Sequence, residues 1–191
     1  MDYGRLHWYE PKELDEAQQA LVASITSGLR DTVGRDEQGR FYGVFNAMIA
    51  EPRAGAAVER LGAVLRFDID LAPRAREIAI LLTAVSRKSE YEWYGHSRIG
   101  AQAGLSELEL AVLCRGDEPE GLSVQESAVF HVTSALLEGD LPDDVLATAE
   151  PLLGTATICD LVAIVGYYSL LALSLRVWRV PLREGATPVF S

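Results

Sequence analysis

At 191 residues the chain is long enough to bury one sizeable core, and 49% hydrophobic with 24% charged residues excludes a disordered or fibrous chain. A net charge of −11 with no arginine cluster to offset it excludes a phosphate backbone as partner, so no nucleic acid is expected. The opening residues MDYGRLHWYEPKELDE carry acidic groups and no apolar run; they read as neither signal nor transit peptide, and the expected compartment is the cytoplasm.

Residues 1–11 show no periodicity, yet Tyr3, Trp8 and Tyr9 mark them as a docking tail that packs on the body or on a neighbouring subunit. Glu13 to Leu29 reads as helix from the register of Leu14, Ala17, Leu21 and Ile25. Asp31 to Arg40 is polar with two glycines and reads as a loop. Phe41 to Ala50 is a short apolar segment ended by Pro52, and Ala54 to Phe67 is amphipathic through Val58, Leu61, Val64 and Leu65. Pro73 suits the first turn of the next helix.

The spacing Ser-x-x-Glu then recurs at Ser89/Glu92, Ser106/Glu109 and Ser123/Glu126, predicting three capping boxes and helix starts near Glu90, Glu107 and Val124. Gly104 and Gly139 follow helical runs and read as helix ends. Helices are predicted over Glu107 to Arg115, Val124 to Glu138, Asp143 to Leu153 and Thr155 to Trp178. The apolar run Leu161 to Leu175 is shorter than the ~20 residues that span a bilayer and reads as a buried helix, so no membrane is expected. No alternating strand pattern stands out. The whole chain, 1–191, reads as a single all-α domain of seven or eight helices, with those of 123–178 packed on the rest.

The residues suited to chemistry lie between Arg76 and Gly104. Ile78, Leu81, Leu82 and Val85 share a helical stripe, which places Glu77 at the edge of a core. Glu92 and His96, four residues apart, share a face with Ile99 and Ala103, and such a pair can hold and pass a proton. Each has a structural alternative. Ser89 and Glu92 can form a capping box, which would turn Glu92 away from His96; Glu77 can simply pair with Arg76; Tyr91 and Trp93 can be packing residues. His7 reads as exposed and His131, within AVFHVTSALL, as a core histidine, so no metal site is expected. Cys114 and Cys159 sit far apart in apolar contexts and read as buried thiols rather than a redox pair.

The segments GRFYGVFNAMIAEP, LRFDIDLAPRAREIAIL and YEWYGHSRIGAQAGLSELEL, in that order, resemble the carboxymuconolactone decarboxylase family, whose all-helical superfamily includes the alkylhydroperoxidase-like proteins. The likeness spans about 40–112 and continues more weakly to the helix GYYSLLALSL. It implies an alkylhydroperoxidase-like helical bundle and a homo-oligomer, trimer or hexamer. The peroxidase branch has the pattern Glu-x11-Cys-x2-Cys-x3-His, which falls here on Glu77, Ser89, Glu92 and His96, so both cysteine positions are lost. Peroxidase activity is disfavoured on that ground, since no thiolate is present to attack a peroxide.

The decarboxylase branch carries a Glu-x-x-x-His pair, which Glu92 and His96 match, and needs no cofactor. The resemblance thus implies a lyase or isomerase acting by acid–base chemistry on a small lactone or carbonyl compound. Glu77, Glu92, His96 and Tyr91 are the candidate catalytic residues, and Phe45, Asn46, Ser89 and Trp93 the candidates for binding the substrate. Arg76, Arg87, Lys88 and Arg98 are the cations nearest in sequence, and the aromatic wall expected from Phe41, Phe45, Trp93 and Tyr94 suits a neutral or singly charged substrate. The alternative is a ligand-binding family member that has kept the fold without the chemistry.

Overall fold

The structure, a computed structural model, describes residues 2–27 and 34–190. It is all-α: eight α-helices and one 3-10 turn among the described residues, with a single two-stranded hairpin of Asp2–Tyr3 and Leu6–His7. The helices are α1 (Glu16–Thr26), α2 (Val44–Ala50), α3 (Pro52–Phe67), α4 (Pro73–Ser86), α5 (Glu90–Gln102), α6 (Glu107–Leu113), α7 (Val124–Glu138) and α8 (Asp143–Val177). The hairpin was not foreseen, and its two residues per strand are too short for any alternation to register. The predicted ends at Gly28 and Leu29 of the first helix, and the predicted loop positions 31–33, lie outside the described residues.

The chain packs as two compact units, Met1–Asp68 with Leu173–Arg183, and Ile69–Ala172 with Glu184–Ser191. In the first, α1, α2 and α3 pack on one another. The aromatic N-terminal segment docks within this unit. The Gly43 N–H donates to Tyr3 Oη at 2.7 Å, Trp8 Nε1 donates to the Phe41 carbonyl at 2.9 Å, and Tyr3 stacks on Trp8 with ring centroids 4.7 Å apart.

In the second unit α4 packs on α5, α6 and α7. Every residue of α4 from Glu77 to Ala84 is buried, so this helix is covered all round. Ile78, Leu81, Leu82 and Ala84 meet Trp93, Leu105, Leu113 and Phe130 in the core. Two capping boxes form where the spacing places them, at Ser106/Glu109 and Ser123/Glu126. Arg74, in the first turn of α4, joins them: its Nε donates to Glu126 Oε1 at 2.7 Å, its Nη2 to Glu109 Oε1 and its Nη1 to the Gly104 carbonyl. The Arg74 guanidinium, with help from Ser106, holds the Glu109 carboxyl down to about 2.

α8 is two helices joined at Gly154, whose φ of 77° and ψ of 153° break the helical path, in keeping with the separate helices expected up to Leu153 and from Thr155. By length and composition this helix could cross a bilayer, its most apolar 18-residue window having a mean hydropathy of 1.9, yet half of that window is buried within the chain.

Two expectations are corrected. His131 is not a core histidine: its side chain is 57% exposed and its Nε2 lies 3.3 Å from Glu118 Oε2, because the apolar residues around it in sequence lie on the other faces of α7. Cys159 is not buried but exposed, and Cys114 only partly covered. The apolar neighbours of Cys159, Ile158 and Leu161, are buried, whereas Cys159 is turned away from them on the outward side of α8.

Candidate functional site

Glu77 is carried into the core by α4, and its carboxylate is fully buried. From α5, His96 comes to meet it: Nδ1 lies 2.7 Å from Glu77 Oε2, across 19 residues of sequence. The two helices approach closely at Gly100, where a Cβ would stand 2.9 Å from Leu105 Cδ1 and 3.3 Å from Leu81 Cδ1. A side chain there would require the Leu105 and Leu81 side chains to shift, one turn beyond the His96 contact.

The other ring nitrogen of His96 faces Glu92. Nε2 and Glu92 Oε2 are 3.6 Å apart, beyond hydrogen-bond length but within ion-pair range, and both residues are buried. The capping box predicted at Ser89/Glu92 does not form. Ser89 is the N-cap of α5 without a side-chain cap bond, and its buried Oγ has no protein partner among the described residues. Glu92 is thereby turned along the helix to its i+4 neighbour, so the imidazole lies between two carboxylates.

Around this line, Arg76 Nε stands 3.9 Å from Glu77 Oε1, and neither atom has a hydrogen-bond partner among the described residues. Tyr168 of α8 meets the imidazole edge to face, with centroids 5.0 Å apart and planes at 87°. Sequence reasoning missed Tyr168. It sits beside Tyr167 in an apolar run, and nothing in the spacing distinguishes a ring that orients a histidine from one that fills a core.

The remaining candidates fall differently. Ser89, Glu92 and His96 share one face of α5, whereas Tyr91 is half-buried and turned by about 100° from Glu92 around the helix. Trp93 lies in the core beside Phe190, with centroids 5.8 Å apart, so its contacts are those of a packing residue. Phe45 and Asn46 belong to the first unit. The buried Asn46 amide accepts from Tyr9 N–H at 3.1 Å and donates to the His7 carbonyl at 2.9 Å, binding the N-terminal segment in place. Of the four candidate cations only Arg76 stands beside the Glu77–His96 pair. Arg87 donates to Ser169 Oγ at 3.1 Å, Lys88 is exposed, and Arg98 lies over the Tyr94 ring at 3.7 Å.

The site is thus a buried carboxylate–imidazole–carboxylate line inside a helical bundle. The profile of the carboxymuconolactone decarboxylase family matches residues 52–135, from α3 into α7. This stretch of the chain, which holds Glu77, Glu92 and His96, is similar to the members of that family. No curated protein matches the chain.

Proposed function

We propose that the protein is a cofactor-free acid–base enzyme, a lyase or isomerase, acting on a small lactone or carbonyl compound through Glu77, His96 and Glu92. The observation that carries this reading is the release of Glu92 from its cap to face His96 Nε2, while Glu77 holds Nδ1. With Nδ1–H donated to Glu77, the imidazole tautomer is set and Nε2 becomes the proton acceptor. A substrate hydrogen next to a carbonyl, or the proton returned to a dienolate after CO2 leaves, would pass at Nε2, with Glu92 as the second station. Ser89 Oγ, buried on the same face without a protein partner, suits a hydrogen bond to the substrate oxygen on which negative charge develops.

Among the described residues Arg76 is the guanidinium paired with Glu77, which supports a neutral or singly charged substrate over a polyanion. A peroxidase reading finds no support in the thiols. Burial and the Glu90 carboxylate push the Cys114 thiol up, the opposite of what a nucleophilic thiolate requires, and Cys159 is remote from it in sequence.

The test is a screen of lactones, β-keto acids and hydroperoxides with the wild type and with His96→Ala. Lactone or keto-acid turnover lost in His96→Ala is expected. Turnover of none by the wild type would favour a ligand-binding protein, and thiol-dependent peroxide turnover that survives in His96→Ala would overturn the acid–base reading.

A further inference from the structure

Ser89, Glu92 and His96 are closed off, being 7%, 6% and 7% exposed. A substrate reaches His96 Nε2 only when something beside it moves. On α5 the residue adjoining all three is Trp93, which follows Ser89 by four positions and Glu92 by one, and precedes His96 by three. Helical side chains lean toward the N-terminus, so the His96 ring lies over the turn that carries Trp93. Part of the cover of Trp93 is Phe190, whose ring meets the indole edge to face with centroids 5.8 Å apart and planes at 74°.

Residues 184–190 belong to the same compact unit as α5 and form neither helix nor strand. No backbone–backbone hydrogen bond reaches them among the described residues. They are fastened through the Glu90 side chain, in the first turn of α5 and next to Ser89. One Glu90 carboxylate oxygen accepts the Val189 N–H at 2.8 Å and the other accepts the Phe190 N–H at 2.6 Å. Two consecutive amides on one carboxylate fix the backbone direction, and Phe190 is thereby delivered onto the core cluster around Trp93. Residues 187–189 are exposed. A stretch with so little burial opens at a far smaller free energy than the helices beneath it.

We infer that residues 184–190 are a latch on the way into the site: when the Glu90 bonds and the Phe190–Trp93 contact open together, a substrate passes along the first turns of α5 to Ser89 Oγ and His96 Nε2. The two anchors suit that task. Glu90 and Trp93, one turn apart, flank the Ser89–Glu92–His96 line without belonging to it, so release leaves Glu77 on Nδ1 and Glu92 beside Nε2. The substrate meets an imidazole already set. The latch rests on the acid–base reading, since it controls that same site, yet access to His96 is measurable without turnover, and either can fail alone.

The test uses the full chain and diethyl pyrocarbonate, which acylates neutral imidazole, with each histidine followed by peptide mass spectrometry. His7 and His131, whose side chains are 51% and 57% exposed, are the internal references. In the wild type His96 should react at least ~100-fold more slowly than His131. Phe190→Ala should speed His96 at least ~10-fold and leave His131 unchanged, with helix content kept by circular dichroism. Where Phe190→Ala fails to fold, Glu90→Ala, which removes both acceptors and spares the core, makes the same test. Arg74→Ala, which loosens the same unit without touching the latch, should leave His96 protected. Wild-type His96 as reactive as His131, an unchanged His96 rate in the folded latch variant, or an equal rise in Arg74→Ala would each overturn the inference.

Discussion

Glu109 and Glu126 each fold one carboxylate oxygen back to the amide of the serine three residues before, at 2.8 Å, and give the other to Arg74. Glu92 has the same spacing from Ser89 and does neither; its carboxylate lies 3.6 Å from His96. The motif is the same and the partners differ. Where an arginine waits outside the first turn, the glutamate is doubly held and the cap closes. Where a histidine stands one turn further along the helix, the carboxylate is drawn away, and Ser89 is left buried with no hydrogen-bond partner for its hydroxyl among the described residues. Two of the three sites tie helix ends together, and the third is stripped of that duty.

The sharpest way to break this contrast is to neutralise one glutamate of each kind. On the substrate that the screen identifies, Glu92→Gln should lower kcat/KM by ~100-fold or more, with the melting temperature kept, as loss of a proton-transfer partner predicts. Glu109→Gln should leave kcat/KM unchanged and lower the melting temperature. Equal activity losses in both would show that Glu92 is structural after all.

Next in size is Arg74→Ala, which removes a mostly buried guanidinium that serves two carboxylates and a carbonyl. Denaturant unfolding should show a loss of about 2–3 kcal/mol. A loss near zero would mean that the Ser106 and Ser123 caps hold without it.

Acid unfolding reads the same cluster. Glu109 is held at about 2 in the fold against an ordinary 4.5, so its contribution is fully present above pH 4.5 and is lost as the pH falls toward 2. Arg74→Ala should therefore bring acid unfolding to higher pH, measured by circular dichroism from pH 6 downward. An unmoved acid limb would assign that limb to other carboxylates.

The smallest expected effect is the most discriminating in sign. Ser106→Ala and Ser123→Ala each remove a cap and should cost about 1 kcal/mol. Ser89→Ala removes a buried hydroxyl without a protein partner and should be neutral or slightly stabilising. If Ser89 binds the substrate oxygen, the same variant loses activity while its stability holds.

Much of the fold is readable from local signals. Ser106, Ser123 and Pro73 mark helix starts, Gly104 and Gly139 mark ends, and each works through atoms a few residues away. Half the site follows equally short rules, since Glu92 and His96 are one turn apart. Glu77 was found through its place at the edge of a stripe and through the family resemblance, but that it bonds Nδ1 depends on how closely two helices approach at Gly100. Nothing local announces Tyr168, which arrives from a helix 72 residues downstream of His96. The cap-or-relay choice at Glu92 and the contacts of Asn46, a candidate for binding the substrate, escape local reading for one reason. A polar side chain with several partners within reach is settled by tertiary competition, as when Asn46 takes the backbone at His7 and Tyr9.

The enclosure of α4 bears on how activity is lost over time. The amides of Ile78–Ala84, buried on every side, are the last that hydrogen exchange should reach, and Glu77 adjoins them. Local opening at the surface would then leave the Glu77–His96 bond intact, and only the global transition would part it. Chemistry and structure should disappear together on denaturant titration, with no inactive but still folded species between them.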